Sequence, residues 1–421
     1  MYIKKIKQTD YFIMFSVVWL ILSSSSLFFC MLHMEASMAV LGLIAILWLG
    51  INRKVTYYNY RAAAILLVII LFNFAVNYEF LNVDKNIAII LIRILSLAVI
   101  MSNIDRDQFF LTYVRTLVVL AVISLICFSF TMLLPGTRLP FQTTTLYNGK
   151  PYIYTFYHTL GRWIIEKRNC GVFWEPGAFQ IFLNLALLIL VTKPKLFNAS
   201  RFQAERFISI VILSITVFTT LSTTGYLCYI AVLGIGMFHS MRNAAHNART
   251  AIILILALIA FLIIEMQLGI VESKLINQQG SYSTRLNDTT VSFEIAGRRL
   301  LTGYGFSNLH SPKLLAQEGV TSNSNGLGSL VVNFGYPVLG IYLIYLYKRL
   351  MNLFDFKLIT GALVLVLFLL FFMSEPVNLI TLFLSFLFRW RGEDKELQPR
   401  FKNAFATGRT GLQGGYSYVA K

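Results

Sequence analysis

Long apolar runs decide what this chain can fold into. Stretches of about 16–24 mostly apolar residues recur along it between polar loops, and at helical rise such lengths match the apolar thickness of a bilayer. A backbone inside lipid must satisfy its own hydrogen bonds, so runs of this length read as helices. The first run is too long for a cleavable leader, no small-residue cleavage pattern follows it, and more runs come after. Only 13% of the 421 residues are charged, whereas soluble domains carry about a quarter. The expected fold class is therefore all-α: a polytopic integral membrane helical bundle.

Twelve spans are predicted, near 12–32, 37–51, 62–77, 86–102, 109–134, 177–192, 207–221, 224–240, 251–269, 326–347, 358–373 and 377–388. Leu221-Ser222-Thr223-Thr224-Gly225 decides the count, because without this turn residues 207–240 would form one span. With the turn counted as a break and the N-terminus inside, the cytoplasmic segments hold 24 Lys and Arg against 8 Asp and Glu. The external segments hold 11 of each, and Arg93 lies within a span. The formal charge of +17 is thus a topology signal of the positive-inside kind, not a nucleic-acid surface. Both termini are expected in the cytoplasm.

Residues 1–388 form one expected membrane domain, and 389–421 a basic cytoplasmic tail, mostly disordered. Two external loops, about 135–176 and 270–325, are too long for simple connections. Their aromatics and apolar clusters predict ordered caps with short amphipathic helices at the interface. The four cysteines show no disulfide framework or metal spacing, and the five histidines no ligand spacing. Nor does any nucleotide-binding glycine loop or metal motif suggest a cofactor or a metal.

Chemistry therefore concentrates in the long loops. Six arginines lie there: Arg138, Arg162, Arg168, Arg285, Arg298 and Arg299. A guanidinium stays charged and presents a planar fork that suits phosphate or pyrophosphate oxygens, though each could equally pair with a loop acid or a lipid headgroup. Glu175 precedes Pro176-Gly177 at the start of a span, where it is either a helix-start acid or a catalytic partner facing a polar cavity. Arg93 sits about 10 Å inside its span and either snorkels outward or reaches a headgroup. Asn323 and Asn325, in SNSNGLG, could bind sugar hydroxyls or cap the helix that follows. Glu265 and Glu375, the latter in SEPVN, are further carboxylates near span ends.

These residues resemble a family. The pattern R-x-x-G-x-F-x-E-P-G (Arg168, Gly171, Phe173, Glu175, Pro176, Gly177) opens a span after a long external loop. LSTTGY stands at a helix break, and GYGF, NSNGL and a later Gly precede a late span. Together they are similar to the Wzy-type O-antigen and capsular polysaccharide polymerases, relatives of the O-antigen ligases. The resemblance implies a metal-independent glycosyltransferase of the bacterial inner membrane, acting on undecaprenyl-pyrophosphate-linked oligosaccharides at the outer face. It implies Glu175, Arg168 and Arg285 as catalytic residues. Arg93, Arg138, Arg162, Arg298, Arg299, Asn323 and Asn325 would contact pyrophosphate or glycan. Membrane lipids and a chain-length regulator protein are the implied partners. The ligases carry His-Asn, nine residues, then Gly at the second-loop border, whereas this chain carries Ser324-Asn325, nine residues, then Gly335. That difference favours a polymerase over a ligase. A lipid-linked oligosaccharide flippase is the third reading, which would need charge along a path inside the bundle.

Overall fold

The computed structural model describes residues 8–52, 55–77, 85–147, 150–160, 168–197, 200–241, 279–306, 311–320 and 323–393. In chain order the elements are α1 (Gln8–Ser25), α2 (Met34–Asn52), α3 (Tyr57–Val76), α4 (Lys85–Asn103), α5 (Arg106–Leu133), β1 (Thr143–Tyr147) and β2 (Lys150–Tyr154). There follow α6 (Pro176–Thr192), α7 (Ser200–Thr219), α8 (Thr223–Met241), α9 (Gln279–Gly297), α10 (Ser311–Gln317), α11 (Gly326–Phe334), α12 (Tyr336–Phe354), α13 (Leu358–Ser374) and α14 (Thr381–Ser385). Among the described residues five helices are long and apolar enough to cross a membrane: α2, α3, α4, α5 and the 202–219 stretch of α7. The consecutive helices α12 and α13, bent by 118° at their junction, make a sixth if counted as one broken span. The chain is a mostly helical, multi-pass membrane protein.

Helix α6 is the axis of the bundle. Its sequence PGAFQIFLNLALLILVT is apolar on every face, and all its residues are buried. It packs against α5, α7 and α8. Asn184 resolves its own burial by donating to the Gln180 carbonyl at 3.0 Å and the Gly225 carbonyl at 3.1 Å, which ties α6 to α8.

The predicted break at 221–225 is present between α7 and α8. Leu221 sits there at φ 48°, a left-handed conformation that costs a β-carbon residue about 1–3 kcal/mol. Two other predicted spans differ from the expectation. Residues 326–347 are divided at Gly335 (φ 81°), where a methyl group would lie 2.7 Å from the Leu301 carbonyl, so only glycine fits. Residues 377–388 contain only the short helix α14, and an irregular backbone runs there buried within the protein, the one setting in which a membrane tolerates it. The predicted span 251–269 lies outside the described residues.

In its described part the first long loop forms strands, and residues 161–167, where an amphipathic helix is expected, lie outside the described residues. Thr143–Tyr147 and Lys150–Tyr154 form an antiparallel hairpin, with Thr143 opposite Tyr154 and Tyr147 opposite Lys150. Three threonines on one strand and Tyr152-Ile153-Tyr154 on the other, either side of an Asn-Gly pair in the sequence, explain it. The second loop does contain helices, α9 and α10, over a small core of Ile295, Ala296, Leu315, Val320, Val331 and Val332.

The opposite end of α5 closes on residues 389–393. Arg391 bridges Asp105, Asn59 exchanges hydrogen bonds with the Arg389 backbone, and Trp390 is buried against Phe109. The remainder of the predicted tail, 394–421, lies outside the described residues. Arg349 is buried there too, bonded to both carboxylate oxygens of Glu393 at 2.8 Å. Arg115 pairs with Glu205 of α7.

His158, just past the hairpin, is buried, and neither ring nitrogen has a hydrogen-bond partner among the described residues. Burial holds its imidazole down at about 4. The unfolded chain takes up a proton near 6.5, which the folded protein refuses until about 4. Stability is thus complete above about 6.5 and lost progressively as pH falls towards 4, by about 3 kcal/mol. His158→Leu should flatten the dependence of the thermal unfolding midpoint on pH between 7 and 4.5. Identical slopes in variant and parent would show that this histidine is not the acid-sensitive group.

Candidate functional site

The site is assembled from the segment that leads into α6. Asn169 donates to Ser124 and Thr219 hydroxyls and accepts from the Gly171 amide, which folds the chain sharply. Gly171 adopts φ 55°, and a methyl group there would meet the Phe179 ring at 2.8 Å. Phe173 then stacks on Phe179, and the backbone at 172–174 bonds to Leu27 and Ser25 at the end of α1. Glu175 follows in an extended conformation, as expected of a residue before proline. It occupies the N-cap position of α6, yet its side chain makes no capping bond. Its Oε1 instead accepts from the Trp174 indole N–H at 3.3 Å.

That carboxyl group meets a second one. Glu375 lies in the turn after α13 and is only 2% exposed. The Glu175 charge acts on Glu375, and the Trp174 indole that donates to Glu175 lies beside both. Burial, and then the Glu175 charge beside it, push the Glu375 carboxyl well above the usual carboxylate range. The close approach depends on Gly177, since a methyl group there would overlap Glu375 Oε1. The N-terminus of α11 closes the far side, where Gly326 leaves room for the Asn378 amide and the Glu375 carbonyl.

Arg285, on α9, brings the cation. Its Nη1 donates to Thr224 Oγ1 at 2.6 Å, and its Nη2 lies 3.7 Å from Glu375 Oε1. Thr224 belongs to the first turn of α8, directly after the strained Leu221. Arg168 grips the same break from the other side, its Nε donating to the Thr220 carbonyl at 3.1 Å. The LSTTGY segment therefore does more than divide two helices. It is the hub on which both arginines are held.

Glu175, Arg168 and Arg285 are thus brought to one region, and the other named residues are placed elsewhere. Arg93 is buried, and its Nη1 donates to the Leu379 carbonyl, on the irregular backbone before α14, at 2.7 Å. Arg298 is committed to Glu294 and Glu318 at 3.2 and 3.0 Å. Arg299 donates to Asn77 Oδ1 at 3.2 Å and lies over the Tyr304 ring. Arg138 is exposed near the hairpin, and Arg162 lies outside the described residues. Asn325 caps α11 through the Gly328 amide, while Asn323 donates to Ser292 on α9. Ser324 is bonded through both its amide and its hydroxyl to Asp288 Oδ2.

Sequence alone ranks Glu375 no higher than Glu265. The signal that could have raised it is repetition: Glu375-Pro376 repeats the Glu175-Pro176 pair, each an extended carboxylate residue beside a helix end. Chemically, the arrangement offers a permanent cation, a half-buried carboxyl group and a buried one, within a few ångströms at the mouth of a buried helix. A cation so placed can hold an anionic leaving group, and a carboxylate can accept a hydroxyl proton.

No curated protein matches the chain. Residues 208–343 match the family described as Wzy_C, O-antigen ligase, a stretch that runs from α7 into α12 and includes Thr224, Arg285 and Ser324. Over that stretch the chain is similar to the Wzy_C O-antigen ligase domain, whose family covers Wzy polymerases and O-antigen ligases.

Proposed function

We propose that this protein is a polysaccharide polymerase that joins undecaprenyl-pyrophosphate-linked repeat units at the outer face of the bacterial cytoplasmic membrane. Members of the family that residues 208–343 resemble transfer glycans from lipid-linked substrates, which supports this reaction class. In this reading both termini are cytoplasmic, and the hairpin end faces outward. The observation that carries it is the meeting of Arg285 with Glu375 beside Gly177, two residues after Glu175. Arg285 stabilises the charge that gathers on the departing pyrophosphate, and Glu175 takes the proton of the acceptor sugar hydroxyl. Arg168 keeps the α7–α8 break, and through it Thr224, in register.

Polymerase rather than ligase is supported by Ser324, which stands where the ligases carry histidine and whose hydroxyl is engaged by Asp288. The glycan profile of a deletion strain tests the choice. Loss of a polymerase leaves a single repeat unit on the lipid A–core, and loss of a ligase leaves the core bare. A bare core would overturn the polymerase reading.

A further inference from the structure

Two neighbouring arginines after α9 meet different partners. Arg298 is neutralised by Glu294 and Glu318. Arg299 is exposed and, among the described residues, contacts neutral groups: Asn77 Oδ1 at 3.2 Å and the Tyr304 ring at 5.0 Å. Its charge is therefore open to an anion from outside the chain.

Asn77 ends α3, and one turn before it Asn73 lies on the wall of an apolar groove. Val68, Ile69 and Phe72 of α3 line one side, and Leu301, Phe334 and Val338 the other. The groove is preformed. Asn73 ties its two sides together by donating to the Thr302 and Asn333 carbonyls at 2.9 and 3.0 Å. The Tyr304 and Gly305 amides bond to the Val332 and Asn333 carbonyls, and the Tyr336 amide to the Leu300 carbonyl. Gly303 and Gly335 permit this approach, since a methyl group on either would overlap the backbone opposite. The volume is about 230 Å³, below the roughly 300–1,000 Å³ of small-molecule clefts, and the lip at Val68, Phe72 and Leu301 is exposed. A space of that size and polarity takes a length of hydrocarbon, not a sugar. Helix α3 is long and apolar enough to cross the membrane, so the lip opens towards acyl chains. A cation one helical turn beyond such walls matches an amphiphile with an anionic head and an apolar tail.

We infer that this groove binds one anionic bilayer phospholipid, with its phosphate on Arg299 and part of one acyl chain between α3 and the α11–α12 junction. The site is separate from the glycan cluster. Helix α11 has Gly326 beside Glu375 at one end and Phe334 in the groove at the other, about 12 Å away at helical rise. A lipid held there braces α3 against the loop that follows α9, the helix that carries Arg285.

Native mass spectrometry of the full chain, delipidated in detergent and titrated with phosphatidylglycerol or phosphatidylcholine, reads the affinity for the first lipid bound. None of its arms involves glycan transfer, so failure of the transferase reading leaves this result unaffected. Phosphatidylglycerol should bind about fivefold more tightly than phosphatidylcholine. Arg299→Ala should abolish that preference, and Arg298→Ala, whose charge is already neutralised, should keep it. Val338→Trp, which fills the groove, should weaken both lipids. Val68→Trp, at the exposed lip, should do the same without touching the core. Equal affinity for the two lipids in the parent, or an unchanged preference in Arg299→Ala, overturns the inference. Undiminished binding in both tryptophan variants overturns it as well. Undecaprenyl phosphate at equal concentration should fail to displace phosphatidylglycerol. Displacement that depends on Arg299 would give the groove to the isoprenyl lipid instead and overturn the assignment.

Discussion

Arg285→Ala is expected to lower chain extension by about 10²–10³-fold while the protein still accumulates in the membrane. Arg285 touches both a carboxyl group of the site and the α8 start. Its guanidinium cannot lose its charge, and its planar fork can hold Thr224 and a phosphate oxygen together. Arg285→Lys keeps the charge but not the fork, so it should recover only part of the loss. Arg298→Ala is the matched control. Arg298 lies in exposed pairs with Glu294 and Glu318, which contribute little, and its loss should change extension no more than about threefold. Glycan length on gels, normalised to protein in membrane fractions, reads all three. Equal losses for Arg285→Ala and Arg298→Ala would remove Arg285 from its special role.

The largest expected effect on stability lies at the other end of the bundle. Arg349→Met should destabilise the fold by about 3–5 kcal/mol, because it leaves the Glu393 carboxylate, 5% exposed, with only the looser Arg389 at 4.0 Å as a cation. It also removes the bond to the Phe388 carbonyl, on the segment that places Trp390 in the core. The charge that is left behind, not the missing pair, causes most of that cost. Arg349→Met combined with Glu393→Leu should therefore recover most of the loss. Thermal unfolding in detergent gives both numbers. A double variant no more stable than Arg349→Met would mean that the ion pair itself holds the segment.

What could be read in advance follows physical locality. The start of α6 was legible because Pro-Gly and an uninterrupted apolar run are both local signals, and the helix begins at Pro176. The break at Leu221 was legible because positive charge had to be balanced across the membrane, a constraint on the whole chain that one turn decides. The hairpin has a local signal in its threonine- and tyrosine-rich strands and Asn-Gly pair, but the apolar clusters of that loop favour interfacial helices when read alone. Gly335 was not, since a single glycine in an apolar run fits a continuous helix as well as a divided one. Arg93 illustrates the deeper limit. Its partner is a carbonyl on Leu379, distant in sequence, and no local pattern announces such a bond. Glu175 and Glu375 were each visible as carboxylates near span ends, but their meeting depends on how α6 and α13 pack around Gly177.

The central claim is that the Arg285, Glu175 and Glu375 cluster transfers glycan between lipid-linked repeat units. Its most direct test is purified protein in vesicles, supplied with defined undecaprenyl-pyrophosphate-linked repeats, with product length followed over time. The account predicts a ladder of longer lipid-linked chains with release of undecaprenyl pyrophosphate, abolished by Arg285→Ala and Glu175→Gln. A ladder of unchanged rate in both variants, or glycan transfer to lipid A–core with no ladder at all, would contradict it.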